Sequence, residues 1–418
     1  MPRGAKAEFK DLAERSIVNW LPLVPDEFNK GLAVDGFRAP KANENVDAWR
    51  YFQDNALDAR QSIAHRGALE YGTSYTLVLK GQDVSRPFIR PLSPLRSAAW
   101  YADEDDEFPQ VGIRRLGKTP DGKGRLLEVY EGGRMVPFTI RDGQYVRGAE
   151  ARTGFDHVPF VRFRDRLDGA SVGLVRPFKR HQDRINEVTF NISIAMQYAS
   201  FRQRWATGLI LPVDEETGEP LESFNAAADR LWITESDAAR FGDFAQTDLT
   251  GHQAEYKSAV ASLAAAAQIN ANVFTGNMTN VTGEALLAMR HGTLRKLEEY
   301  KLLFGESWES VFRLAAQAAG AEIPPSDAEV RWRDTTGEQM AAKVDALGKL
   351  AQMLGVPQEA LWDDVPGMTD SKLKRWKELA KPDALDALTA EIERQGIAAE
   401  VALAAAAAPS APAVATAA

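Results

Sequence analysis

Three short runs in this 418-residue chain carry residue types that could do chemistry. Gly112–Thr119 reads GIRRLGKT and fits the spacing GxxxxGK[ST] of a phosphate-binding loop. That chemistry needs a strand, a cradle of backbone N–H groups and a helix starting at the lysine. Here Pro120, Asp121 and Gly122 follow at once and make a turn, while Ile113–Leu116 has strand character. The run therefore predicts a hairpin. Gly169–Gly173 reads GASVG and fits the nucleophile elbow GxSxG, with Ser171 as the candidate nucleophile of a hydrolase. An elbow needs its strand to run straight into the serine, but Arg164–Asp168 intervenes. The bland alternative is a tight turn leading into a helix, with Ser171 near the N-cap. Asp103–Glu107 (DEDDE) could ligate a cation, but adjacent carboxylates without alternating spacing or a closing glutamate favour a solvated turn. The five histidines include no HxxxH pair, which argues against zinc.

A fourth feature is electrostatic. Lys179, Arg180, Arg184, Arg202 and Arg204 make one helical stretch basic, either as a solvated face or as a surface facing phosphates. The chain as a whole carries a formal charge of −9, so it does not grip nucleic acid by its overall field. There is no cysteine, which excludes disulfides and thiolate metal sites. The N-terminal stretch lacks the apolar core of a secretory leader, and no apolar run is long enough for a bilayer. The expectation is a cytosolic, non-membrane assembly subunit with no catalytic residue, metal or cofactor. Its length predicts two or three sub-domains.

The elements that must position these residues fall into three stretches. Asn45 reads as the N-cap of a helix running to Tyr71, with Gly72 ending it, and Pro25 limits any helix before it. From Ser74 to Phe163, strands are predicted at Thr76–Leu79, Phe88–Arg90, Gln110–Arg115, Leu126–Tyr130, Met135–Ile140 and Val158–Phe163. Together they predict one antiparallel sheet with hairpins. From Gly173 the pattern turns helical. Phe178, Ile185, Ile192 and Ala199 recur every seven residues and predict a helix over 174–204. A mixed excursion follows, with short strands at Leu209–Val213 and Leu231–Thr234. An alanine-rich helix spans His252–Ile269. Asn270–Gly283 (NANVFTGNMTNVTG) is dominated by Asn, Thr and Gly and predicts a loop. Glu284 opens a long helix to about Gly320, and helices near Gly337–Leu354 and Asp370–Ala380 precede an Ala/Pro tail expected to be disordered.

With these segments in place, the chain resembles the phage portal proteins related to the SPP1 portal, common among actinobacterial siphophages. The resemblance rests on Asn45–Leu79, on His157–Phe163 followed by Gly169–Glu187 (GASVGLVRPFKRHQDRINE), on Phe201–Leu211 (FRQRWATGLIL) and on Asn270–Lys296. It implies an α+β portal-type fold: a wing over 1–172, stem helices at 173–204 and 248–269, and a clip at 205–247. A tunnel loop at 270–283, a long wing helix with its return at 284–336, crown-like helices at 337–396 and the tail at 397–418 complete it. It implies a subunit of a ring, usually dodecameric, at one capsid vertex, present in the virion and assembled in the host cytoplasm. Implied partners are double-stranded DNA passing without sequence preference, the terminase large subunit, a head–tail connector, and the major capsid and scaffold proteins. ATP hydrolysis would belong to the terminase. In the tunnel loop, Asn270, Asn272, Val273, Phe274, Asn277, Met278, Thr279 and Asn280 are the candidate channel-lining residues. Phe274 and Met278 are its apolar members, expected to pack on a neighbouring subunit or touch the duplex. Another phage head or connector protein is the nearest alternative, and a hydrolase using Ser171 the remote one.

Overall fold

The computed structural model describes residues 7–39, 46–200, 204–208, 238, 240–243, 249–276, 283–333, 340–365, 367–368 and 370–380. It divides into two units, Met1–Thr335 and Thr336–Ala418.

In the first unit, α1 (Ala7–Ser16) and α2 (Leu23–Asn29) precede β1 (Val34–Arg38). Pro25 lies in the first turn of α2, where a missing N–H breaks no hydrogen bond, so it does not prevent that helix. The single helix expected up to Tyr71 is two: α3 (Trp49–Asp54) and α4 (Leu57–Tyr71). Ala56 between them adopts a left-handed conformation at φ 51°. The Asn55 side chain fixes this break: its amide donates to the Tyr51 and Pro87 carbonyls, and its oxygen accepts from the Ile89 N–H. Asn45 lies outside the described residues.

The expected single sheet is two sheets. β2 (Thr73–Leu79), β3 (Phe88–Leu92) and β10 (Phe160–Arg164) form a three-stranded sheet in the order β10-β2-β3. The larger sheet runs β4 (Ser97–Trp100), β5 (Val111–Lys118), β6 (Gly124–Glu131), β7 (Arg134–Arg141), β8 (Gln144–Arg147), with β9 (Ala151–Arg152) also on β7. All pairings are antiparallel. The separation has a compositional cause. β2 is buried on both faces from Ser74 to Val78, whereas β5 to β7 stay half-exposed along much of their length. Tyr75, Leu77 and Phe160 from the small sheet meet Tyr130 from the large one in a local apolar cluster.

The 37-residue helix α8 (Gly283–Ala319) organises the main core. At 1.5 Å per residue it is about 55 Å long. Leu297, Tyr300, Phe304, Trp308, Val311 and Ala315 recur at three- and four-residue spacing and are buried. Phe312 stacks on Phe37 at 4.5 Å, and Trp308 meets Phe163 edge-on at 5.2 Å. Trp308 Nε1 also donates to Nε2 of the fully buried His65 at 2.7 Å, and His65 stacks on Phe304 at 5.5 Å. β13 (Glu329–Trp332) follows α8 and pairs with β1, so Val34 lies opposite Trp332. This two-stranded sheet carries no signal of its own in the sequence, and β4, β8 and β9 likewise escape the pattern because they are short or fully exposed.

The second unit contains α9 (Met340–Leu354), α10 (Gln358–Leu361), a 3-10 turn at Trp362–Asp364 and α11 (Asp370–Leu379). Trp362 and Trp376 meet edge-on at 6.1 Å within it. The expected tail at 397–418 lies outside the described residues.

Burial depresses the His65 pKa to about 3, with the Leu32 carbonyl partly opposing the shift. A neutral His65 is thus built into the fold, and the unfolded chain binds a proton there that the folded chain does not. That contribution to stability is complete above pH ~6.5 and is lost as pH falls from there towards 3. Thermal melts should show Tm declining across this window, and His65→Gln, which keeps an acceptor for Trp308 without titrating there, should flatten the decline. Trp308→Ala should cost about 3–5 kcal/mol in denaturant unfolding, since it empties a packed aromatic site.

Candidate functional site: the helix pair and the segment that follows it

The helix expected over 174–204 is α5 (Lys179–Ser200). Residues 174–178 form turns, and Pro177 cannot donate within a helix interior. Its other expected end is also shorter: Arg204 opens strand β11 (Arg204–Thr207) instead of continuing the helix. β11 pairs antiparallel with β12 (Arg240–Asp243), placing Arg204 opposite Asp243. The excursion is thereby closed at its base. Its expected strands at Leu209–Val213 and Leu231–Thr234 lie outside the described residues, as does Arg202.

The alanine-rich helix is α6 (Thr250–Ala267), and it packs along α5. Ile185 and Val188 of α5 and Ala259, Val260, Leu263 and Ala264 of α6 are buried. Among the candidate basic residues, Lys179 and Arg180 are exposed in the first turn of α5. Arg184 instead bonds Glu255 of α6 at 2.6 Å, so the structure gives it an acidic partner on the neighbouring helix. Both groups are about half-exposed, which limits the pair to ~1 kcal/mol or less.

α6 stops where Gln268 turns left-handed at φ 57°, with its N–H and that of Ile269 returning to Ala265 and Ala264. Asn270 then accepts the Asn272 N–H through its side chain at 2.9 Å. This local bond starts a one-turn helix, α7 (Asn272–Thr275), inside the stretch expected to be loop. Phe274 on that turn is only 5% exposed and meets Trp20 edge-on at 6.1 Å. It packs into its own chain, which corrects the expectation that it reaches a neighbour or a duplex. Val273 beside it is 37% exposed and remains presented outward. Asn277, Met278, Thr279 and Asn280 lie outside the described residues. Thr293 of α8 bonds the Gln268 carbonyl at 2.8 Å, tying the long helix to the end of α6.

The sequence reading missed Trp20. The segment before α2 lies along α5, where Gln182 accepts the Trp20 N–H at 2.8 Å and donates to the Val18 carbonyl at 2.7 Å, and Asn186 accepts the Val18 N–H. Trp20 thus joins α5 to α7. The only signal in the sequence is an apolar cluster before Pro22, with nothing to say what it covers.

The apparent chemical motifs resolve into structure. Gly112–Lys118 falls wholly within β5, and Thr119 bonds Asp121 and Gly124 in the turn to β6, so no helix starts at the lysine. Ser171 sits in a turn wedged against the end of α4. A Cβ on Gly72 would come within 2.7 Å of the Ser171 carbonyl carbon, and one on Gly173 within 2.4 Å of the Glu70 carbonyl oxygen. Both glycines have positive φ, at 87° and 72°. Asp165 is buried and accepts the Gly173 N–H at 2.9 Å, while Leu174 donates to Leu69 at 2.7 Å. No hydrogen bond joins Ser171 to a histidine among the described residues. In Asp103–Glu107, Asp106 accepts the Asp103 N–H and Asp103 accepts the Asp105 N–H, the bonding of a turn. No described residues form a cluster of three or more metal-ligating side chains, and no described helix is long and apolar enough to cross a membrane.

A pair of packed helices, a strand-closed excursion between them, a short polar segment and one very long helix make a scaffold in which the candidate motifs are turns and strands among the described residues. The family model described as phage portal protein, SPP1 Gp6-like, matches residues 3–384, and the chain belongs to that family. The portal protein of Mycobacterium phage D29 is 25% identical over 357 residues, covering 80% of this chain and 72% of that protein. The portal protein of Mycobacterium phage L5 is 24% identical over 355 residues with the same coverage. A solved chain from the neck of an empty GTA particle, computed with C6 symmetry, aligns at a TM-score of 0.48 and 13% identity. The alignment covers 85% of this chain and 91% of that one.

Two substitutions separate packing from surface here. Phe274→Ala should lower unfolding stability by about 3 kcal/mol, whereas Val273→Ala should change it little. Gly173→Ala should destabilise strongly because the Glu70 carbonyl backbone occupies the space, and its loss should appear as a large fall in Tm.

Proposed function

We propose that this chain is the subunit of a portal ring at one capsid vertex, through which double-stranded DNA is packaged and later ejected. The observation that carries this reading is the family match over nearly the whole chain. On this reading α5 and α6 form the stem, and the strand-closed excursion of 205–247 is the clip. Residues 270–283 form the tunnel loop, α8 is the long wing helix, and the helices after 336 are crown-like. The clip is the surface offered to the terminase large subunit during packaging and to a head–tail connector afterwards. Capsid and scaffold proteins meet the wing during assembly in the host cytoplasm.

The physical chemistry suits passage better than binding. The stretch 270–283 contains no lysine or arginine, so it offers a duplex little electrostatic hold. A charge of −9 per chain, multiplied around a ring, repels DNA from the wall. The alanines of α6 allow close helix approach. The work of translocation is assigned to a partner ATPase, not to this chain.

Negative-stain microscopy of the purified chain should show rings with a central hole that admits a duplex about 20 Å wide, with binding that ignores sequence. A stable monomer at high concentration, together with virions lacking the protein at a vertex, overturns the proposal. Ser171→Ala should leave ring formation and packaging unchanged, and purified protein should show no esterase activity for it to abolish.

A further inference from the structure

Two surfaces at opposite ends of the larger sheet are complementary in both charge and polarity. The first is a cleft of about 440 Å³ between the turn at Asp103–Glu107, strand β10 and the middle of α8. Leu302 and Leu167 on its wall are 75% and 61% exposed. Four carboxylates line it, from Asp105, Asp106, Glu107 and Glu306, against the guanidiniums of Arg162 and Arg164. Both guanidiniums are engaged with the Glu104 carbonyl, and Arg162 also lies over the Tyr101 ring at 3.9 Å. None of the four carboxylates is in an ion pair among the described residues. The cleft thus presents exposed apolar walls with an excess of negative charge.

The second surface is the tip formed by the β5–β6 turn and the β7–β8 hairpin. Tyr145 and Val146 on the outer strand β8 are 68% and 59% exposed. Around them Lys118, Lys123, Arg125, Arg141 and Arg147 are exposed, against Asp121, Asp142 and Glu150. Arg141 is paired with Asp121 and Arg147 with Glu150, which leaves the three others to make the tip basic. This tip is apolar and basic where the cleft is apolar and acidic.

The sheet keeps the two apart within one chain. The acidic turn lies beside the Val111 end of β5, and the basic tip lies at its Lys118 end. Eight residues of strand separate them by roughly 24 Å at ~3.4 Å per residue. A chain therefore cannot fill its own cleft with its own tip. A contact between different patches on two copies is head-to-tail, and such contacts close into rings when the rotation per copy allows.

We infer that the β7–β8 tip of one copy docks into the acidic, leucine-walled cleft of the next. The tip enters edge-on: Val146 meets Leu302, Tyr145 on the opposite face of the strand meets Leu167, and the basic rim faces the carboxylates. Charge fixes the register, and burial of the apolar side chains holds it. This inference rests on the ring reading and adds one specific contact to it.

The absence of cysteine from the chain makes the contact testable by cross-linking. Val146→Cys combined with Leu302→Cys, treated with a short bis-maleimide, should give a ladder of covalent oligomers on a denaturing gel. Each single variant should give none, because the two copies of either position are far apart in a head-to-tail contact. Separately, Glu107→Arg should raise the concentration for half-assembly about tenfold, the equivalent of ~1.4 kcal/mol, and adding Arg147→Glu should restore most of it. Rings in negative stain without the ladder overturn the docking and leave the ring reading standing. Dimers from a single-cysteine variant as abundant as the double-variant ladder overturn it as well, by making the contact symmetric. Absence of rings from the unmodified chain overturns both.

Discussion

The fold depends on burying one aromatic face of α8 while giving the indole N–H of Trp308 an acceptor. That face is aromatic over most of its length, and each ring needs a partner from another part of the chain. Phe312 takes Phe37, Trp308 takes Phe163 and Phe52, and Phe304 takes His65. The indole N–H of Trp308 is a strong donor in this row, and burying it without an acceptor would cost about 1–3 kcal/mol. Nε2 of His65 supplies that acceptor, and burial keeps the imidazole neutral. Two helices that lie far apart in sequence are thereby keyed together at a single atom pair, within a surround of apolar contacts that have no such specificity.

From this core the remaining elements take their positions. α4 carries His65 and ends at Gly72, where the backbone of 171–173 closes on it. That closure sets the departure point of α5. The far end of α5 opens into the paired strands β11 and β12, and α6 returns along it. Thr293 then attaches the start of α8 to the end of α6. The candidate site is thus hung between the two ends of the core.

Much of this was legible in the residues. The three long helices after Gly173 have strong periodicity or composition, and their order survives in the structure with ends moved by a few residues. The strands of the large hairpins are marked by their Gly-rich turns. The failures have physical causes. The break at Ala56 depends on Asn55 finding carbonyls from Pro87, which no local pattern encodes. The split into two sheets depends on which strands are covered on both faces. Trp20 and Phe274 are each ordinary apolar residues in polar stretches, and only their meeting makes α7 a packed turn. Nothing in the composition of 270–283 could say that Phe274 faces inward while Val273 beside it stays exposed.

The pairing of β1 with β13 has a consequence for timing. Val34 waits for Trp332 before its strand has a partner, so nearly the whole first unit must be synthesised before that sheet can close. At 5–20 residues per second the interval is about 15–60 s. Phe37, one residue short of the end of β1, gains its stacked partner Phe312 only within the same late stretch. A ribosome-bound fragment therefore lacks a finished core, and contacts of such high sequence separation form slowly. The sheet that joins the two ends of the first unit is therefore among the last parts of it to close.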